Sequence, residues 1–405
     1  MVSISIRLKL AMLILAVAFL SPVAARAQGL VAIQNFSADF RTEQPLAFSL
    51  SADSGYDVLK YKAPSSQYGN IESWYGQLGG AVSYTHADRT TPYSFSLEGS
   101  VLEYVKGVPT YGSTFYNGRA TFNFEHQFSE RLKMSNNFYL TYGTNPNNAF
   151  GYGATSALWN GQFLYGYNNF NVSYAWSPRL STTTSYTFDG IVYENALVGA
   201  SQDRYSHLFA QQVAYKISKQ TSLTAEYRYR LTDYTKSPFQ NYHSHFALVG
   251  VDHAWSENLS GSARVGAEFY RNATRSKTAP YAEAAINYAV ARQTQLSWFS
   301  MLGFNGAVLG GYTSSYGVNT GVQVNHQVSK RLSVNGGVSY ARSVLSGGPV
   351  ADQKQDSVFV NAGIGYQLMD NVNVHANYSF STQLSNNPAV EFNRNRVSVG
   401  ATATF

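Results

Sequence analysis

The sequence predicts an all-β protein, a transmembrane antiparallel up-and-down β-barrel of about 18 strands. Three observations carry that expectation. Apolar and polar residues alternate with period two along nearly all of the chain after about residue 45, and the connections between alternating stretches are by turns very short and long. The composition is also unusual: charged residues are 13% of the chain, aromatics are 15%, and 31 residues are Tyr. A soluble surface carries about 25% charge. Charge is costly against lipid while Tyr and Trp sit well at headgroup level, so this balance suits a membrane barrel.

The chain opens with Arg7 and Lys9, an apolar run from Leu10 to Leu20, and Ala25-Arg26-Ala27. This is the layout of a secretory signal with a small-residue cleavage site, and residues 1–27 are expected to be removed. The apolar run is about half the roughly 20 residues of a spanning helix. Residues 28–45 show no periodicity and are expected to form a periplasmic leader or partial plug, with the barrel occupying 46–405. No Cys is present, which excludes a disulfide scaffold, a lipid-anchored lipoprotein and a thiolate metal site.

From residue 46 the strands follow in order, from 46–58 through 221–233 to 394–405, about eighteen in all. The short connections share a pattern: an aromatic or β-branched residue, Ser, two polar residues, then usually Leu. Trp176-Ser177-Pro178-Arg179-Leu180, Trp255-Ser256-Glu257-Asn258-Leu259 and Val328-Ser329-Lys330-Arg331-Leu332 are examples. Between them lie Gly-, Asn-, Ser- and Pro-rich stretches such as 143–162 and 343–354. Membrane barrels have short periplasmic turns and longer extracellular loops, and an even strand count puts both ends of the barrel in the periplasm.

The last strand shows the alternation most clearly. Val397, Val399, Ala401, Ala403 and Phe405 point one way, and Arg394, Arg396, Ser398, Thr402 and Thr404 the other. A closing strand that ends on an aromatic resembles those of Gram-negative outer-membrane barrels, and this resemblance implies that Phe405 is an assembly signal read by the barrel assembly machinery. The opening strand Phe48-Ser49-Leu50-Ser51-Ala52-Asp53-Ser54-Gly55-Tyr56-Asp57, the Ser-Pro-Arg-Leu type turns and the closing strand together resemble the putative β-barrel porin 2 family.

With the apolar face turned to lipid, strand 221–233 sends Leu223, Ala225, Tyr227, Tyr229 and Leu231 outward and Thr224, Glu226, Arg228 and Arg230 inward. Arg204, Arg264 and Glu268 join them from neighbouring strands, Arg119 and Glu125 line the wall elsewhere, and Arg394 and Arg396 face the strand of Asp53. Two readings stand. One is a ladder of ion pairs filling a polar wall. The other is a cationic stripe with wet guanidinium groups that selects anionic or sugar-like solutes, in which inward Tyr139 and Tyr270 supply stacking surfaces.

No catalytic motif is found. None of the eight His has Ser two residues later, and the pairs His243/His245 around Ser244 and His86/Asp88 lack a third ligand or a nucleophile. No Gly-rich phosphate loop or His-Glu-x-x-His occurs. The chain is therefore expected not to be an enzyme and to carry no cofactor or metal. The formal charge of +6 is spread out rather than clustered, which speaks against nucleic acid. The expected function is a porin-like outer-membrane channel for passive passage of small polar solutes, with outer-membrane lipid and lipopolysaccharide as surroundings. The alternatives are a component of exopolysaccharide export or a non-conducting structural or adhesive barrel. A tag inserted at Asn147 or Ser346 is expected to be accessible on intact cells and one at Lys330 is not; surface labelling at Lys330 would invert the topology.

Overall fold

The computed structural model describes residues 45–63, 70–108, 111–144, 161–290, 293–305, 312–348 and 352–405. The expected signal segment and all of the expected leader but Pro45 lie outside the described residues, as does Asn147.

Eighteen strands form one antiparallel sheet that closes on itself. They are β1 Leu46–Tyr61, β2 Ile71–His86, β3 Tyr93–Val108, β4 Gly112–Gln127, β5 Leu132–Gly143, β6 Phe163–Ala175, β7 Leu180–Tyr193, β8 Arg204–Lys216 and β9 Thr221–Tyr234. They continue as β10 Tyr242–Ala254, β11 Leu259–Asn272, β12 Ser276–Val290, β13 Thr294–Asn305, β14 Ser314–Gln327, β15 Leu332–Ser346, β16 Gln353–Met369, β17 Val372–Ser385 and β18 Phe392–Thr404. Each pairs with its sequence neighbours, and β1 pairs with β18 from Ser49↔Thr404 to Tyr61↔Phe392. A short helix, α1 Ala196–Gln202, lies between β7 and β8.

The alternation read from the sequence becomes two faces. Outward side chains form an apolar belt, with Leu50 63%, Leu78 69% and Val399 57% exposed. No soluble protein leaves such a continuous apolar surface bare. Inward side chains are polar, or are apolar and buried.

The short turns repeat one hydrogen-bonding device, which explains their Ser. Ser177 N–H donates to the Leu180 carbonyl at 3.2 Å, and its Oγ accepts the Leu180 amide at 3.0 Å. Ser129, Ser218, Ser256 and Ser329 do the same for Leu132, Thr221, Leu259 and Leu332. The hydroxyl supplies the acceptor that a two-residue reversal denies to its own amides. Asp88 takes this role between β2 and β3, where its carboxylate accepts the Thr90 hydroxyl and the amides of Thr90 and Thr91. The Thr90 hydroxyl, followed by those amides, holds the Asp88 carboxyl down at about 2. His86 and Asp88 therefore do not share a strand face: β2 stops at His86, which packs on Tyr93, and Asp88 belongs to the turn.

β15 and β16 run into the stretch 343–354 expected to connect them, reaching Ser346 and starting at Gln353. Above the belt the outward positions become Arg342, Lys354 and Asp356, because a hairpin in water needs no apolar face. Ser346 is therefore a strand end, 8% exposed, whose carbonyl accepts the Thr313 amide, and it is unsuited to a tag.

At the turn-side end of the seam the terminal residue completes the ladder. The Phe405 amide donates to the Phe48 carbonyl at 2.7 Å, and the Phe48 amide to the Phe405 carbonyl at 3.0 Å, while the Phe405 ring is 62% exposed on the lipid face. Deleting Phe405 removes both bonds and the outward ring. The variant should accumulate as protease-sensitive periplasmic protein, and normal membrane levels of a heat-modifiable barrel would show the residue to be dispensable.

Candidate functional site: the lumen and the hairpin bent into it

The interior is not uniform along the barrel axis. Toward the short turns, inward residues such as Ser49, Ser51, Thr121 and Asn123 are partly open, whereas toward the long loops inward Tyr75, Tyr104, Phe115, Tyr165, Tyr193 and Tyr270 are buried. The lumen therefore narrows toward the loop side.

The narrowing has a framework of charge. On β9, Arg228 donates to Glu226 at 2.6 Å and reaches across the concave wall to both oxygens of Glu283 on β12, at 2.7 and 2.9 Å. The Tyr281 hydroxyl donates to Glu283 at 2.6 Å. Arg264 on β11 has no exposed surface; it pairs with Asp252 at 2.7 Å and lies 3.7 Å from Glu226. β9 and β12 are three strands apart, about 14 Å along a flat sheet. Only curvature brings inward side chains of such strands together.

A second charged group locks the seam. Arg394 on β18 grips Asp57 on β1 with two hydrogen bonds of 3.0 and 2.6 Å, and the Tyr104 hydroxyl donates to the same carboxylate at 2.7 Å. Arg396 lies 4.3 Å from the centre of the Tyr75 ring and donates to its hydroxyl at 2.9 Å. Tyr75 in turn covers Gly55, where an added Cβ would stand 2.5 Å from the phenol oxygen and 2.2 Å from the Val397 carbonyl. Gly at 55 lets the tyrosine lie flat across the seam. Lower in the lumen, His375 and Asp53 meet at 2.7 Å.

The structure places every charged residue expected in the lumen on the inward face, but it does not leave them all wet. Arg228 is 5% exposed, and Arg264 and Glu268 are fully buried, because each is consumed by a partner across the wall. Arg119 lies 4.6 Å over the Tyr139 ring, Glu125 is exposed near the turn side, and Arg204 donates to the Gln202 carbonyl at 3.3 Å. Tyr139 and Tyr270 are 6% and 1% exposed and fill space rather than offer stacking faces. His243 and His245 point outward while Ser244 points inward, so the three do not converge. Among the described residues no group of three His, Cys, Asp or Glu is placed to hold a metal.

Sequence reasoning missed the element that narrows the lumen. β13 pairs with β12 only as far as Leu302↔Ala282; beyond that, the end of β13 parts from β12 and turns inward, while β14 stays paired with β15 to Ser314↔Ser346. The Phe304 amide donates to Glu268 on β11 at 2.9 Å, and its carbonyl accepts Arg230 on β9 at 3.3 Å. Gly303 passes so close to Tyr281 that a Cβ would meet the ring at 2.7 Å. On the return, the Tyr312 carbonyl accepts Gln240 at 2.9 Å and the Thr313 carbonyl accepts the Tyr270 hydroxyl at 2.5 Å. Tyr312 is buried in one cluster with Leu59, Tyr75, Tyr104 and Phe115. The signal in the sequence is Gly303, where the close pass to Tyr281 leaves no room for a Cβ.

A closed antiparallel barrel with an apolar belt outside and a polar, ion-paired interior is an outer-membrane β-barrel, and the Gram-negative outer membrane is its place. Residues 245–405 match the family model described as Putative beta-barrel porin 2, so the family resemblance seen in the sequence holds over the last strands. The opening strand 48–57 lies outside the matched residues. Similar solved structures include a BenF-like porin from Pseudomonas fluorescens Pf-5, at 10% identity and a TM-score of 0.47, covering 89% of this chain and 99% of that one. OccK9 (OpdG) of Pseudomonas aeruginosa matches at 9% identity and 0.47 over 89% and 98% of the two chains. OccAB3 of Acinetobacter baumannii matches at 11% and 0.45 over 89% and 99%. No curated protein matches the chain in sequence.

Removing Arg228 would leave Glu226 and Glu283 buried and facing each other. Arg228→Ala should lower stability by about 3–5 kcal/mol, read as an earlier urea midpoint of the folded barrel in detergent, while Glu125→Ala at the open end should change it little. An unshifted midpoint for Arg228→Ala would show that the network does not carry the wall.

Proposed function

We propose that the protein is a passive outer-membrane channel for small polar solutes, narrowed by the β13–β14 hairpin. The observation that carries this reading is a closed eighteen-stranded wall whose polar lumen is open toward the turns and constricted by a hairpin held to Arg230, Glu268 and Tyr270. Eighteen strands enclose a channel unless something folds inside, and here Phe304 is held by β9 and β11 while Tyr312 packs with Leu59, Tyr75, Tyr104 and Phe115 of β1 to β4, so the inward residues meet more than one side of the wall. A narrowed lumen suits small solutes rather than a polymer chain, which sets this reading above exopolysaccharide export. Passage through such a lumen requires no catalytic step and no cofactor.

The interior charges divide by role. Arg228, Arg264 and Arg394 are neutralised by carboxylates, whereas Arg204, Arg230 and Arg396 make no ion pair among the described residues. We assign to the latter three, with Arg119, a weak preference for anions; Glu125, Glu226 and Glu268 line or brace the wall. Assembly through recognition of Phe405 by the barrel assembly machinery, and outer-leaflet lipopolysaccharide around the loop-side rim, belong to the same proposal.

The burial of aromatics on the loop side favours one second reading, a non-conducting structural barrel. Single-channel recording in planar bilayers separates the two. The channel reading expects discrete conductance steps, weak anion preference in the reversal potential, and a larger conductance for Arg230→Ala, which frees Phe304. Silent bilayers containing folded, heat-modifiable barrel would establish the non-conducting form.

A further inference from the structure

We propose that the outward faces of β8, β10 and β11 near the loops bind the phosphate groups of outer-leaflet lipopolysaccharide. This deepens the lipid partnership named above by giving it a site, and it rests on the outer-membrane setting rather than on conduction. His207 on β8, His243 and His245 on β10 and Arg271 on β11 all point outward. They share two adjacent rungs of the sheet: His207 and His243 both lie opposite Leu231, and His243 lies opposite Arg271. Neighbouring strands are about 4.8 Å apart, so the row spans three strand intervals, wide enough to meet more than one phosphate.

Two of the histidines are tied to neighbouring phenols. The Tyr186 hydroxyl meets Nδ1 of His207 at 2.8 Å, and the Tyr227 hydroxyl meets Nδ1 of His245 at 2.7 Å. A phenol is the natural donor in such a pair, so Nδ1 accepts and Nε2 keeps the proton. Arg271 makes no ion pair among the described residues, and Asp233, the acid on the outward face of β9, accepts Asn241 at 2.8 Å. Lys60 and Arg342, elsewhere on the outward loop-side surface, are neutralised within the protein, by Glu72 at 3.0 Å and by Asp356 at 3.8 Å. The cluster thus gathers three imidazoles and one guanidinium on two neighbouring rungs of the outer wall.

Depth agrees with a headgroup site. His245 and His243 stand ten and twelve residues above Trp255 on the same chain, roughly 25–30 Å along the membrane normal for a strand tilted by about 40°. That is the height of the apolar belt. Below the cluster, exposed Phe209, Val249, Val265 and Phe269 offer an apolar surface for acyl chains.

The test uses the purified full barrel with each of His207, His243, His245 and Arg271 replaced by Gln, titrated in detergent with lipopolysaccharide and followed by native mass spectrometry. Wild type should bind phosphorylated lipopolysaccharide roughly tenfold or more tightly than the variant, the difference expected from losing several charge-assisted hydrogen bonds. Dephosphorylated lipopolysaccharide should bind wild type as weakly as the variant binds the intact lipid. Millimolar inorganic phosphate should not displace the lipid, since free phosphate lacks the acyl chains, and the paired-cation variant Lys60→Gln with Arg342→Gln should behave as wild type. Equal affinity of wild type and variant, or equal binding of both forms of the lipid, would overturn the site. Should the fourfold variant not fold, Arg271→Gln alone decides by the same comparison.

Discussion

Hydrocarbon offers a peptide group nothing to bond with, and this single constraint shapes the molecule. Every strand amide and carbonyl within the membrane must find its partner in the sheet, so the sheet has to close, and β1 meets β18 over the full height of the belt. Closure assigns each residue to one of two faces. Lipid takes the outward set, and so the interior inherits all the polarity the belt cannot tolerate. The dense charge of β9 to β12 and of the seam is the counterpart of the bare exterior.

Inside, low exposure decides what a guanidinium can do. A buried charge persists only when it is paired and hydrogen-bonded: Arg228 spends its donors on Glu226 and Glu283, and Arg264, beside the Asp252 carboxylate, donates to the carbonyls of Val251 and Ala263. Groups so committed brace a wall and are lost as a field for passing ions. Glu268 and Arg230 turn from the wall to the backbone of Phe304, which makes the constriction part of the same polar framework.

Strands and turns could be read directly because their causes are local. Period-two alternation recurs in every strand, and the Ser of five short turns acts within three residues of itself. The inward face of Arg119, Arg204, Arg394 and Arg396 followed from parity alone. What could not be read was how far around the barrel an inward side chain reaches. Arg228 and Glu283 are fifty-five residues apart and not on adjacent strands, so no pairing rule joins them. The bend of the β13–β14 hairpin was hidden for the same reason: Phe304 continues the alternation of its strand, yet its amide and carbonyl are claimed from β11 and β9.

The seam pair Asp57 and Arg394 stands 337 residues apart in the chain and is nearly or wholly without solvent. During synthesis and export the aspartate exists long before its counter-ion. A chain cut short after any earlier strand would have to enclose an uncompensated carboxylate beside an open sheet edge, and both penalties fall on the same product. Ionic closure thus makes completeness itself a condition of membrane residence, so that a truncated chain is energetically marked for disposal in the periplasm before it can insert as a leaky partial ring.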